Sequence, residues 1–256
     1  MTLGLPLSTL YAFLLVLARV GGLIAFLPFP AFRAAPDTAR AFLAMVVAFA
    51  LFPVWPQLPN VAPSAGDLVL WAVSEAGFGL AAGLTVGFVI EAFQIAMQIL
   101  GLQAGYGYAS TIDPTSQVDA SILQVLSMFM TGLLAFGLGL DRELFRILAA
   151  SFQRFPAGSW APSAASLDGV LRIGSEMFSL GLRVSMPVIA LLLFIDIALA
   201  LLGRMQQQLQ LLSVAFPVKM LAALALLTAM SPVIASLFEQ SSARALGSLW
   251  QTVTRP

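Results

Sequence analysis

From Asp67 to Gly101 the chain reads DLVLWAVSEAGFGLAAGLTVGFVIEAFQIAMQILG, and after the opening aspartate only Glu75 and Glu91 carry charge. As a helix, roughly 35 residues would run about 50 Å, well beyond the ~30 Å hydrocarbon core of a bilayer. Such a helix must tilt steeply, kink, or project past the membrane. Composition agrees that a bilayer is the main solvent: of 256 residues, 60% are hydrophobic and 9% charged, unlike a soluble domain. Lipid cannot satisfy open backbone, so the spanning elements are helices. The expected fold is an all-α integral membrane protein, a single unit over residues 1–256 with no separate soluble domain.

Caps and prolines divide the chain. A first helix is expected from Ser8 to Leu27, stopped by Pro28 and Pro30, and a second from Asp37 or Thr38 to Pro53. The first apolar run lacks a basic leader and carries Arg19 in its middle, so it reads as a retained span rather than a cleaved signal. After the long run and a polar break, an apolar helix is expected from Ser121 to Leu140. An amphipathic one follows from Asp141 to Phe155, with Leu144, Ile147, Leu148, Ser151 and Phe152 on one side. A long helix from Leu167 to Met205, a turn through RMQQQLQ and FPVK, and a last helix from Met220 to Phe238 complete the chain. Basic residues disagree with simple alternation. Arg33 and Arg40 place the first turn in the cytoplasm, yet Arg142, Arg146, Arg154 and Arg172 then fall outside. Either the polar break re-enters the membrane, or protein rather than lipid surrounds these helices.

With no cysteine and no histidine, thiol and imidazole metal sites, cysteine nucleophiles, Ser-His-Asp triads and disulfides are excluded. No nucleophile and base pair stands out, so neither catalytic residues nor a metal or cofactor is expected. The net charge is +0 and no basic arm is present, which argues against nucleic acid as a partner.

Six charges interrupt the apolar runs: Arg19, Glu75, Glu91, Glu176, Arg183 and Asp196. Each is costly at the bilayer centre, so each should face protein or water, as a buried pair, a subunit contact or part of an ion path. Gly79, Gly83 and Gly87 form a small-residue stripe that lets another backbone approach. Glu75 and Glu91 lie about 160° apart around the helix and cannot form one two-carboxylate site.

The polar break, GLQAGYGYASTIDPTSQVDAS, combines glycines with an Asp113-Pro114 step. Irregular backbone at membrane depth survives only inside protein or beside a water-filled cavity. Composition leaves two readings, a pore element or a surface connector.

The order of several motifs resembles the FliR family, export-gate proteins of the flagellum with counterparts in virulence type III secretion. The N-terminal pattern is Arg19-Val20-Gly21-Gly22 with Pro28, Arg33, Pro36 and Arg40. The central one is Gln103-x-Gly105, Asp113-Pro114 and Ser151-Phe152 before Pro156, and the C-terminal one is Arg204 with Phe216-Pro217-Val218-Lys219. The chain departs from the family at Gly139-Leu140-Asp141, where Gly-His is expected, at Gln207-Gln208-Leu209-Gln210, and at Ala215. The resemblance implies a non-enzymatic subunit of long helical hairpins with a central non-helical pore loop, packed into a helical hetero-oligomer in the bacterial inner membrane at the flagellar basal body. Implied partners are several copies each of FliP and FliQ, with FlhB, FlhA, the basal-body ring and unfolded export substrates. Implied sites are a pore plug with Gly105, Tyr106, Gly107, Tyr108, Ile112, Asp113 and Pro114, and bulk near a constriction, or core packing, from Met128, Phe129 and Met130. A C-terminal turn with Arg204, Gln207, Gln208, Phe216, Pro217 and Lys219 would contact FlhB or neighbouring subunits. The competing class is a proton-coupled transporter acting alone, with Glu75, Glu91, Arg183 and Asp196 as relay groups.

Overall fold

The structure, a computed structural model, describes residues 6–27, 35–56, 58, 64–106, 122–156, 158–161, 164–205 and 211–254, with backbone alone at 164–167, 205, 211–214 and 254. The described residues form α1 (Leu7–Phe26), α2 (Asp37–Ala50), a 3-10 turn (Phe52–Val54), α3 (Ala65–Ala104), α4 (Ile122–Gly137), α5 (Leu140–Arg154), α6 (Ala164–Met205) and α7 (Leu211–Thr254). No strand occurs among them. α1, α3, Asp168–Arg204 of α6 and Ala215–Val253 of α7 are each long and apolar enough to cross a membrane, and α4 with α5 would make a fifth span if the bent pair counts as one. The fold is that of an all-α integral membrane protein.

Six of the seven helices begin and end within a few residues of the positions their caps and prolines predict. α7 is the exception: instead of starting near Met220 it runs from Leu211 to Thr254, through Pro217 and Pro232. Each proline removes one backbone hydrogen bond. In apolar surroundings no water competes for the rest, and neighbouring helices re-satisfy what is freed. Phe216, Pro217 and Lys219 are therefore helical rather than part of a turn, and residues 206–210 lie outside the described residues.

Two compact units divide the described residues. One lies within Met1–Val89, Ala135–Gly174 and Ser241–Pro256, the other within Ile90–Leu134 and Ser175–Gln240, so α3, α6 and α7 each contribute to both. In the first, Phe13 of α1 meets Phe49 and Trp55 at ring distances of 4.7 and 5.5 Å, and the Trp55 indole N–H donates to the Ala48 carbonyl at 2.8 Å. α5 buries Leu140, Leu144, Ile147, Leu148, Ser151 and Phe152, the face its sequence marks as apolar. Asp141 and Glu143 in its first turn and Arg154 in its last complement the helix dipole. Glu143 also accepts the Trp250 indole N–H at 2.7 Å. In the second unit the Phe93 and Phe238 rings meet edge-on at 5.3 Å, and the Ser127 hydroxyl donates to the Phe93 carbonyl at 3.3 Å.

α3 is apolar all round, the signature of a helix buried on every side. Of its spanning stretch 61% is buried, against 22% for α6 and for α7. Exposed apolar side chains are nevertheless spread along the long helices: Leu70 and Leu102 on α3, Leu171 and Leu202 on α6. At 1.5 Å per residue these pairs stand about 48 and 46 Å apart along their helices. A straight helix of that length would have to tilt beyond the roughly 40° that spanning helices adopt to fit a ~30 Å core, so each must bend or pass beyond it.

Candidate functional site

The foot of the central loop is built by the end of α3. The Tyr106 N–H bonds to the Gly101 carbonyl at 2.9 Å and the Gly105 N–H to the Leu102 carbonyl at 3.2 Å, with Gly105 at φ +87°. This pair of bonds with a left-handed glycine is a Schellman stop, which satisfies carbonyls that the helix end would orphan. α7 closes over the stop. The Phe216 ring lies beside Gly105, where an added Cβ would sit 2.6 Å from Cδ1, and the Tyr106 hydroxyl donates to the Met220 carbonyl at 3.0 Å. Burial pushes the Tyr106 hydroxyl above its ordinary value. One turn along, Lys219 Nζ reaches both Asp196 oxygens, Oδ1 at 2.9 Å and Oδ2 at 3.1 Å, tying α7 to α6. Phe216, Lys219 and Met220 share a helix face by their spacing, which is why one turn of α7 serves all three contacts.

The structure thus joins parts that the sequence kept separate: the foot of the expected plug, the Phe-Pro-Val-Lys motif and the charge at Asp196. Gly107, Tyr108, Ile112, Asp113 and Pro114 lie outside the described residues, as do Gln207 and Gln208. Arg204 stands in the last turn of α6, exposed, at the end where a cation suits the dipole. Of the α4 residues, Met128 and Met130 are half-buried and Phe129 is exposed, so none belongs to the core within this chain.

A second cluster lies in the unit that holds α1. Arg19 and Glu75, at 0% and 1% exposure, are paired through Arg19 Nε and Glu75 Oε2. Arg19 Nη1 donates to Ser151 Oγ at 2.8 Å and Nη2 to the Phe155 carbonyl at 3.3 Å, while the guanidinium carbon sits 4.3 Å from the Phe152 ring centre and 4.9 Å from that of Phe78. Glu75 Oε1 accepts the Gly158 N–H at 2.9 Å. The glycine stripe supplies the approach: a Cβ on Gly79 would run into the Arg19 carbonyl, one on Gly83 would lie 2.7 Å from the Leu23 carbonyl, and from the α1 side one on Gly22 would overlap the Ala76 carbonyl. Gly87 is also buried. Gly158, Ser74 and Trp160 were not singled out by sequence; the PAGSW turn with its glycine was a signal for Gly158 and Trp160.

The six interrupting charges stand in different settings. Arg19 joins Glu75, and Asp196 joins Lys219. Glu91 is half-buried on α3, and Glu176 and Arg183 are exposed on α6. Both Glu75 oxygens are engaged, Oε2 by Arg19 and Oε1 by the Gly158 N–H. Among the described residues no three Asp or Glu side chains gather as a metal site.

The profile of the family described as "Bacterial export proteins, family 1" matches residues 10–245. The flagellar biosynthetic protein FliR of Escherichia coli (strain K12) is 32% identical over 234 residues, 91% of this chain and 89% of that protein. FliR of Aquifex aeolicus (strain VF5) is 27% identical over 199 residues, 78% of this chain and 77% of its own. The surface presentation of antigens protein SpaR of Salmonella typhimurium (strain LT2) is 27% identical over 222 residues, 85% of this chain and 82% of its own. The profile takes in Arg19, Glu75, Gly105, Asp196 and the Phe216–Lys219 turn of α7 within one continuous match, so the chain belongs to family 1 of the bacterial export proteins, the FliR family.

Proposed function

We propose that the chain is a non-enzymatic subunit of the flagellar type III protein-export gate in the bacterial inner membrane at the basal body. In this reading it forms part of the portal for unfolded substrates, with the 105–121 loop as the plug. FliP, FliQ and FlhB, with FlhA and the basal-body ring beyond them, are the partners. The observation that carries the plug is its foot: a segment that must obstruct a passage needs a fixed base, and Gly105 and Tyr106 are held by a Schellman stop, the Phe216 ring and the Met220 carbonyl. Met128 and Met130, half-buried on either side of the exposed Phe129 on α4, would offer deformable bulk beside a conduit. The assembly is supported by the apolar length of α3 and α6, which is more than a straight span within lipid needs.

Deletion of residues 107–116, which spares the foot, tests the plug. Cells carrying it should leak ions or small solutes while the chain still co-purifies with smaller membrane proteins in unequal numbers. Unchanged membrane conductance with an intact complex would remove the plug from this account.

A further inference from the structure

We infer that the Arg19–Glu75 pair is a placing device, which holds the turn after α5 against α1 and α3 instead of adding to stability. A fully buried ion pair rarely outperforms apolar side chains of the same volume, because desolvation offsets the attraction. Its presence in an apolar interior points to a need that a hydrocarbon contact does not meet.

The hydrogen bonds show what that need is. Apart from the bond within the pair, each contact points to the end of α5 and the turn beyond: Ser151 Oγ, the Phe155 carbonyl and the Gly158 N–H. Helix ends leave carbonyls without partners, and a guanidinium at a C-terminus both fills one and suits the dipole. The turn is seated on one stretch of α3. The Gly158 backbone, at φ +74°, lies against the Trp71 ring, which leaves no room for a side chain. The Ser74 hydroxyl donates to the Trp160 carbonyl, and the Trp160 ring rests on Gly77 and meets the Phe78 ring edge-on at 5.9 Å. Trp160 and Phe78 then wall an apolar cavity of about 80 Å³ with Ala82 and Leu249. The charged pair sets where the turn sits, and the turn sets that wall.

The chain has no cysteine, so a Ser159→Cys substitution gives one spin-label position on the exposed edge of the turn. In the full-length chain extracted from membranes, Arg19→Met and Glu75→Met singly leave a buried charge alone and should lower the melting temperature by roughly 10 °C. The double variant Arg19→Met/Glu75→Met should recover most of that loss, yet its label at 159 should become mobile where the parent's is immobile. Arg19→Met/Glu75→Gln, which keeps an oxygen for the Gly158 N–H, should restore part of the immobile signal. A double methionine variant whose label stays as immobile as the parent's would overturn the placing role. So would one that melts as low as the single variants or fails to accumulate, since stability would then be the pair's purpose.

Discussion

The Phe216 ring stands in the space that a side chain on residue 105 would fill: a Cβ there would lie 2.6 Å from its Cδ1 and 2.9 Å from its Cε1. Gly105→Ala therefore carries two penalties, a left-handed backbone for an L-residue, about 1–2 kcal/mol, and displacement of the ring. Phe216→Ala added to it should return the steric part and leave the backbone part. Thermal melts of the two single variants and the double variant separate these terms, and a double variant no better than the sum of the singles would show that the ring does not press on the glycine.

Tyr106→Phe removes one neutral hydrogen bond to the Met220 carbonyl and leaves the ring in place. The expected cost is about 1 kcal/mol of stability. If the plug reading holds, loosening its foot should also raise solute leakage above that of the parent, by less than the loop deletion does. Leakage at the parent's level, with the stability loss present, would restrict Tyr106 to packing.

The Lys219–Asp196 pair is partly exposed, at 15% and 40%, so its worth is moderate. Lys219→Met should destabilise by about 1 kcal/mol and Lys219→Arg by less, because Arg still offers a cation to both oxygens. The reversed pair, Asp196→Lys with Lys219→Asp, should recover part of the loss. A double-mutant cycle with no coupling energy would show that the two charges act separately.

Adjacent glycines in α1 should respond oppositely. A Cβ on Gly22 would overlap the Ala76 carbonyl of α3, whereas one on Gly21 meets nothing within 4 Å. Gly22→Ala should cost about 1–3 kcal/mol by forcing the helices apart. Gly21→Ala should be neutral or stabilise by up to about 1 kcal/mol, since alanine is the better helix residue. Gly79→Ala should resemble Gly22→Ala, and equal melts for Gly21→Ala and Gly22→Ala would disprove the close approach.

Features written in local periodicity were legible in the sequence. The buried face of α5 follows from spacing that repeats every three or four residues, and α3 announced itself by an unbroken apolar run. Arg19 and Glu75 each stood out as charges in such runs, but their partnership spans 56 positions and depends on how α1 meets α3, which no local pattern encodes. The mistaken start of α7 came from treating Pro217 as a break. Pro187 inside α6 shows the same tolerance, as is common for prolines in membrane-spanning helices. Once α7 extends back to Leu211, Phe216 and Lys219 gain fixed directions, and the links to Gly105 and Asp196 follow.

The greasy height of α3 and α6 also bears on manufacture. A copy made without companions would leave a sticky collar in water above or below the lipid, an invitation to clumping and to membrane proteases. Its lifetime in a pulse–chase experiment should then depend on co-expression of its neighbours, making balanced synthesis a requirement set by helix length.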